Sequence, residues 1–205
     1  MPEDWQTDAR LLDQWRLGDA SAGVQLFDRH ARSVARFFVN KVGGELDDLI
    51  QQTFLRLLES RERIRDGVAF RAFVLGIARN VLREHLRALA RGREIDMSVE
   101  TIAELAPGPL TLLGRCREQR LLLEGLRRLP LEHQLALELH YWEGLDAHQI
   151  SEVFGISHSA MRSRLVRARG LLRDAMAAIA DSQELLASTL GGLAGWAADL
   201  REQID

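Results

Sequence analysis

Between His158 and Arg173 the chain carries Arg162, Arg164, Arg167, Arg169 and Arg173 without one carboxylate to cancel them. Guanidinium groups pair bidentately with guanine edges or clamp phosphates, so a helix carrying them suits a nucleic-acid groove. The residues just upstream supply a reason for a helix to stand out there. Ile150 and Val153 form the apolar side of a first short helix, Gly155 permits a sharp turn, Ile156 plugs the corner and Ser157 is placed to cap the next helix. In that second helix Met161, Leu165, Ala168 and Leu172 recur at helical spacing and should face a core. Ser159, Ser163, Val166 and Gly170 are then left outside, small enough for close approach, with Arg162, Arg169 and Arg173 along one flank and Arg167 on the other. This is helix-turn-helix grammar, and major-groove docking is what it implies. A solvated face of an ordinary helical bundle is the competing reading.

A second set of arginines lies upstream. From Phe70 to Arg93 the chain has Arg71, Arg79, Arg83, Arg87, Arg91 and Arg93 against Glu84 alone. Arg79, Arg83 and Arg87 fall at four-residue spacing, and Asn80 beside them offers both a donor and an acceptor to a base edge. The formal net charge is nevertheless −3, because carboxylates gather elsewhere, as at Asp96, Glu100 and Glu104. Local patches rather than net charge set phosphate affinity. A chain so balanced should bind DNA weakly by itself and gain affinity from a larger partner.

The elements that position these residues are helical. Strand alternation is almost absent, apolar residues repeat every three to four positions, and 46% hydrophobic content over 205 residues is enough for packed cores. The expected fold is all-α: two helical domains, over 7–90 and 115–180, joined by a flexible linker over 91–114 and followed by an amphipathic helical tail over 181–205. In the first domain, helices are expected over about Asp8 to Leu17, from Ala20 to near Gly43, from an Asp47 cap with Leu49, Ile50, Phe54, Leu57 and Leu58 on one side, and from Val68 to Ala90. The linker is punctuated by Gly92, Pro107, Gly108, Pro109 and Gly114 and shows no consistent apolar face. The tail keeps Leu185, Leu186, Leu190, Leu193, Trp196, Ala197 and Leu200 at helical spacing across a break at Gly191-Gly192, so it needs a surface, and its own second domain is the first place to look. Cys116 is the only cysteine, which excludes an intrachain disulfide. No run is apolar enough for membrane insertion and no signal peptide opens the sequence, so the expected address is cytoplasmic.

Catalysis has no visible apparatus. His133 and His140 flank Glu138, but no His-Glu-x-x-His array, metal-spaced cysteines, phosphate-cradling loop or strand-borne nucleophile is present, and no cofactor is expected.

Asp47-Asp-Leu-Ile-Gln-Gln-Thr-Phe-Leu-Arg-Leu-Leu58 followed by Phe70-Arg-Ala-Phe-Val-Leu-Gly-Ile-Ala-Arg-Asn80 closely resembles region 2 of bacterial extracytoplasmic-function sigma factors. Leu129-Pro-Leu-Glu-His-Gln134 with the run Arg162 to Arg169 resembles their region 4, in the family's order. The resemblance implies a promoter-recognition subunit of RNA polymerase rather than an enzyme. It further implies that Asp48, Gln51, Gln52, Leu55 and Arg56 dock on the clamp coiled coil of the β′ subunit, although the family usually has Glu where Gln52 stands. Arg65, Asp66, Arg71 and Asn80 would then lie near bases of the non-template single strand as it separates, with Arg79 and Arg83 on phosphates. His158, Ser159, Arg162, Ser163, Arg164, Arg167 and Arg169 would read an upstream duplex element, with the β flap held on the apolar flank of region 4. An anti-sigma factor is a further partner that the resemblance allows. The rival is a stand-alone helix-turn-helix regulator whose first domain senses or dimerises.

Overall fold

The computed structural model describes residues 3–64, 70–90, 94–106 and 116–204. Among the described residues the only regular elements are helices, beside one isolated bridge between Thr101 and Pro130.

The first domain is built from α1 (Glu3–Arg16), α2 (Ala20–Phe38), α3 (Leu46–Glu59) and α4 (Phe70–Leu89). Asp19 starts α2 by accepting from the amides of Ser21 at 2.9 Å and Ala22 at 3.3 Å, which satisfies donors that a helix start leaves open. Leu12, Leu26, Val34, Phe38, Leu57, Phe70, Leu75 and Leu82 close its core. Two helix starts differ from expectation. α1 begins at Glu3 rather than near Asp8, which sits inside it and reaches α2, where it meets His30 Nε2 at 2.8 Å and Arg29 Nε at 2.9 Å. α3 begins at Leu46 after Glu45, and Asp47 lies in its first turn, where a negative charge suits the helix dipole without a cap bond. α3 also turns Leu58 outward, so its buried side is narrower than the apolar spacing suggests and its free side more apolar. At its other end, α2 stops at Phe38 rather than near Gly43, where Asn40 turns left-handed with φ 67°.

The tether carries more order than its composition suggests. Ile95, Met97 and Ile102 are buried, and Thr101 and Glu104 form a reciprocal capping box on the short α5 (Ile102–Leu105). The amides of Leu131 and Glu132 donate to the carbonyls of Glu100 and Met97, both at 2.9 Å, so residues 94–106 lie along the entry to the second domain. Three apolar anchors at uneven spacing leave no periodicity to detect.

The second domain comprises α6 (Arg117–Arg127), α7 (Leu131–Tyr141), α8 (Ala147–Phe154) and α9 (His158–Ala177). α6 and α9 approach closely at Gly125, where a Cβ would stand 2.6 Å from Met176 Cγ. The tail forms α10 (Gln183–Gly191) and α11 (Leu193–Ile204), divided at Gly192. It packs on α6, α7 and α9 as expected of a stripe seeking its own domain, and α11 also reaches α2 of the first domain. The two domains meet directly as well, α4 against α8 and α2 against α7. Among the described residues, no helix is long and apolar enough to cross a membrane.

Candidate nucleic-acid interface

The turn that presents the arginine-rich helix is built as its residues dictate. Asp146 caps α8 in a capping box with Gln149, Gly155 ends α8 in the left-handed region at φ 67°, and the Ser157 hydroxyl accepts from the Ala160 amide at 3.2 Å to start α9. Met161, Leu165, Ala168 and Leu172 are buried, so the helix has only one face to give away. His158, Ser159, Arg162, Ser163, Val166, Arg167 and Arg169 are exposed on it. Arg169 is steadied by Tyr141, donating from Nε to the phenol oxygen at 3.0 Å with its guanidinium 5.8 Å from the ring centroid. Arg164 departs from the set: it is drawn aside to Glu132 on α7 at 2.8 Å and lies 5.2 Å from the Phe154 ring. A carboxylate distant in sequence thus cancels one charge of a segment that holds none itself.

α4 behaves differently. Asn80 and Arg83 are exposed and, with Arg87, line an open polar groove shared with Arg56, Glu59 and Ser60 of the α3 end. Arg71 and Arg79 are turned away from it, toward the second domain. Arg79 Nη2 donates to Glu132 at 2.8 Å and its guanidinium lies 4.8 Å from the Phe154 ring, so the Phe154 ring and Glu132 serve both arginines, Glu132 accepting from Arg79 and ion-paired with Arg164. Arg71 is paired with Glu143, which also accepts from Arg36 Nε at 2.7 Å and from the Ser33 hydroxyl. Burial pushes the Glu143 carboxyl up, but the Arg36 bond and the Arg71 and Arg36 charges outweigh it and hold the carboxyl below its ordinary value. Nearby, Lys41 is fully buried and paired with Glu138 of α7, to which Gln134 donates at 2.9 Å. Burial raises the Glu138 carboxyl and lowers the Lys41 ammonium, against their mutual attraction.

On α3, Asp48, Gln51, Gln52 and Leu55 are exposed side by side, a mixed polar and apolar face fit for another helix. Arg56 is committed within the domain, donating to both Glu84 oxygens of α4 at 2.8 and 2.6 Å. Arg65 and Asp66 lie outside the described residues.

The profile of Sigma-70 region 2 matches residues 24–92 and that of Sigma-70 region 4 matches residues 119–172. The RNA polymerase sigma factor CarQ of Myxococcus xanthus is 33% identical over 80% of this chain and 94% of its own length. The chain belongs to the extracytoplasmic-function sigma factors. Another relative, the ECF RNA polymerase sigma-E factor of Haemophilus influenzae, is 26% identical over 82% of this chain and 94% of its own. Against RfaY of Xanthomonas campestris the chain spans about a third of the relative's length, at 30% identity. Among solved structures, CnrH in complex with the cytosolic domain of CnrY superposes with TM-score 0.60 at 25% identity, covering 86% of this chain and 99% of that one. RpoE of Bartonella quintana in complex with NepR shares the fold, with TM-score 0.55 at 20% identity over 80% of this chain and 99% of that one.

In this sigma factor the match to region 2 takes in α2 to α4, and the match to region 4 takes in α6 to α9. The tail lies beyond both. What sequence reasoning missed is the seam: Glu132, Glu138 and Glu143 stand on α7 or just after it and engage Arg79, Lys41, Arg36 and Arg71 across the domain boundary. The single lysine of the chain, at 41, was a signal of sorts, since only position 41 departs from arginine. Nothing in the spacing ties it to a glutamate 97 residues away.

Proposed function

We propose that this sigma factor divides promoter recognition between its two arginine-bearing helices. α9 reads an upstream duplex element through Ser159, Arg162, Ser163, Arg167 and Arg169, with His158 at its entry and Arg164 following once Glu132 lets go. α4 handles the strand that opens: Asn80, with Arg65, Asp66 and Arg71, lies nearest the bases, and Arg83 and Arg79 lie on phosphates. The face of Asp48, Gln51, Gln52 and Leu55 is the docking surface for core polymerase, with Arg56 bracing α3 against α4 beside it. The chain performs no chemistry of its own and works in the cytoplasm, where the polymerase is. The complex of CnrH with the cytosolic domain of CnrY supports a protein partner, such as an anti-sigma factor, for this chain too.

The observation that carries this reading is the outward face of α9, small residues between exposed guanidinium groups behind a capped turn. Run-off transcription with core polymerase tests it. The intact chain should give promoter-dependent transcripts, and R162A with R167A should abolish them while leaving core binding in place. Sequence-specific duplex binding without polymerase, and no transcripts with it, would favour a stand-alone regulator instead.

A further inference from the structure

The tail lies outside both family matches, whereas Leu135, Leu139, Leu165 and Met176 of α7 and α9 are buried in the core of the second domain. Ser182 caps α10 by accepting from the Leu185 amide at 3.2 Å, and the chain then lays one narrow stripe inward. Leu186 and Thr189 are buried, while Leu185, Leu190, Leu193 and Trp196 are partly buried against the core. Leu193 lines a small cavity together with Leu122, Leu126, Leu137, Tyr141, Trp142 and Leu172. Its polar ties include an exposed pair of Arg117 with Asp181 at 2.8 Å and a Ser188 hydroxyl 3.3 Å from Glu118, each weak in solvent. α11 touches α6 and α7 on one side and α2 on the other, so it spans the domain boundary.

The seam beneath it combines the packing of α4 on α8 with ion pairs, of which Arg36 with Glu143 and Lys41 with Glu138 are buried. Their attraction is mostly cancelled by the desolvation of both partners, so they set the register of the two domains without strongly favouring contact. An apolar strap across the same boundary adds a favourable contribution that the ion pairs do not supply. We infer that α10 and α11 form a detachable clasp, which packs on α6, α7 and α9 and fastens the second domain to α2, keeping Arg71 and Arg79 masked by Glu143 and Glu132. The proposal rests on the promoter-reading assignment only for what the masking means; the clasp itself is a statement about domain closure.

Spin labels at D28C on α2 and R128C after α6, in a C116S background, report closure directly. Three chains are compared: full length, a chain ending at Ala180, and full-length L193D. Both altered chains should keep their helicity and cooperative unfolding, and should show an open population at least about tenfold larger, since burying one or two large apolar side chains shifts such an equilibrium by that much. Distance distributions identical to full length in both would overturn the inference. So would loss of the second domain's fold in both, because the tail would then be core rather than clasp. Failure of the promoter-reading assignment looks different: no transcripts from any of the three chains with core polymerase, with the distances unaffected.

Discussion

The two arginine-bearing helices of this sigma factor are alike in composition and opposite in circumstance. α9 offers Arg162, Arg167 and Arg169 outward, and α4 offers Asn80 and Arg83 but gives Arg71 and Arg79 to carboxylates of the other domain. A glutamate pair and a phosphate are alternative partners for a guanidinium. The closed arrangement therefore presents the face proposed to read duplex and withholds part of the face proposed to read the single strand. That asymmetry fits the order of events at a promoter, where the duplex is met before any strand is free.

The largest effect should come from the seam's most buried pair. Lys41→Met leaves Glu138 buried without its cation and should cost about 3 kcal/mol of unfolding free energy in denaturant titration, because removing one partner of a buried pair leaves the other desolvated. K41M with E138L should recover most of that loss. A K41M chain as stable as the parent would mean that the seam contributes nothing to the difference between the two helices.

Next come the readers. R162A and R167A should each weaken holoenzyme binding to its promoter duplex by about 1 to 3 kcal/mol, roughly tenfold to a hundredfold, in fluorescence anisotropy. R83A should leave duplex binding nearly intact and lower the yield of opened complex, measured by permanganate footprinting. Equal effects of all three on duplex binding would erase the division of labour.

Acid should sharpen the contrast. Glu143 titrates below its ordinary value in the folded chain, so its contribution to closure is complete above the unfolded carboxylate range and is lost as pH falls through the depressed value. Domain separation on acidification should therefore precede unfolding of either domain, with small-angle scattering as the readout, and E143Q should flatten that dependence.

The smallest change concerns presentation alone. Ser157→Ala removes the α9 cap and should cost about 1 kcal/mol in thermal unfolding without altering closure.

Which parts of this were legible beforehand follows from the range of the interactions. The helix-turn-helix was readable because capping, the left-handed Gly155 and the spacing of Met161, Leu165, Ala168 and Leu172 are local, and each leaves a mark within a few residues. Asp47 misled because an acidic residue before an apolar run has the look of a cap, and the start of the first helix fell late, at Asp8, whose carboxylate is engaged with His30 and Arg29 on another helix. The seam was illegible. Arg36, Arg71 and Arg79 are ordinary helix arginines until Glu143 and Glu132 arrive from far along the chain, and Arg164 loses its apparent freedom in the same way. The tail fell between the two cases, since its stripe announced that it needed a surface, and only the fold shows that the surface includes α2.

One substitution isolates the central claim, because Glu143 contacts Arg36, Arg71 and Ser33 of the first domain and none of the arginines of α9. The measurement is the affinity of the isolated sigma factor, wild type and E143Q, for a short single-stranded oligonucleotide and for a duplex at one salt concentration. Masking predicts that E143Q binds the single strand about tenfold more tightly and the duplex no differently. Single-strand affinity unchanged by E143Q, in a chain that remains folded, would contradict it.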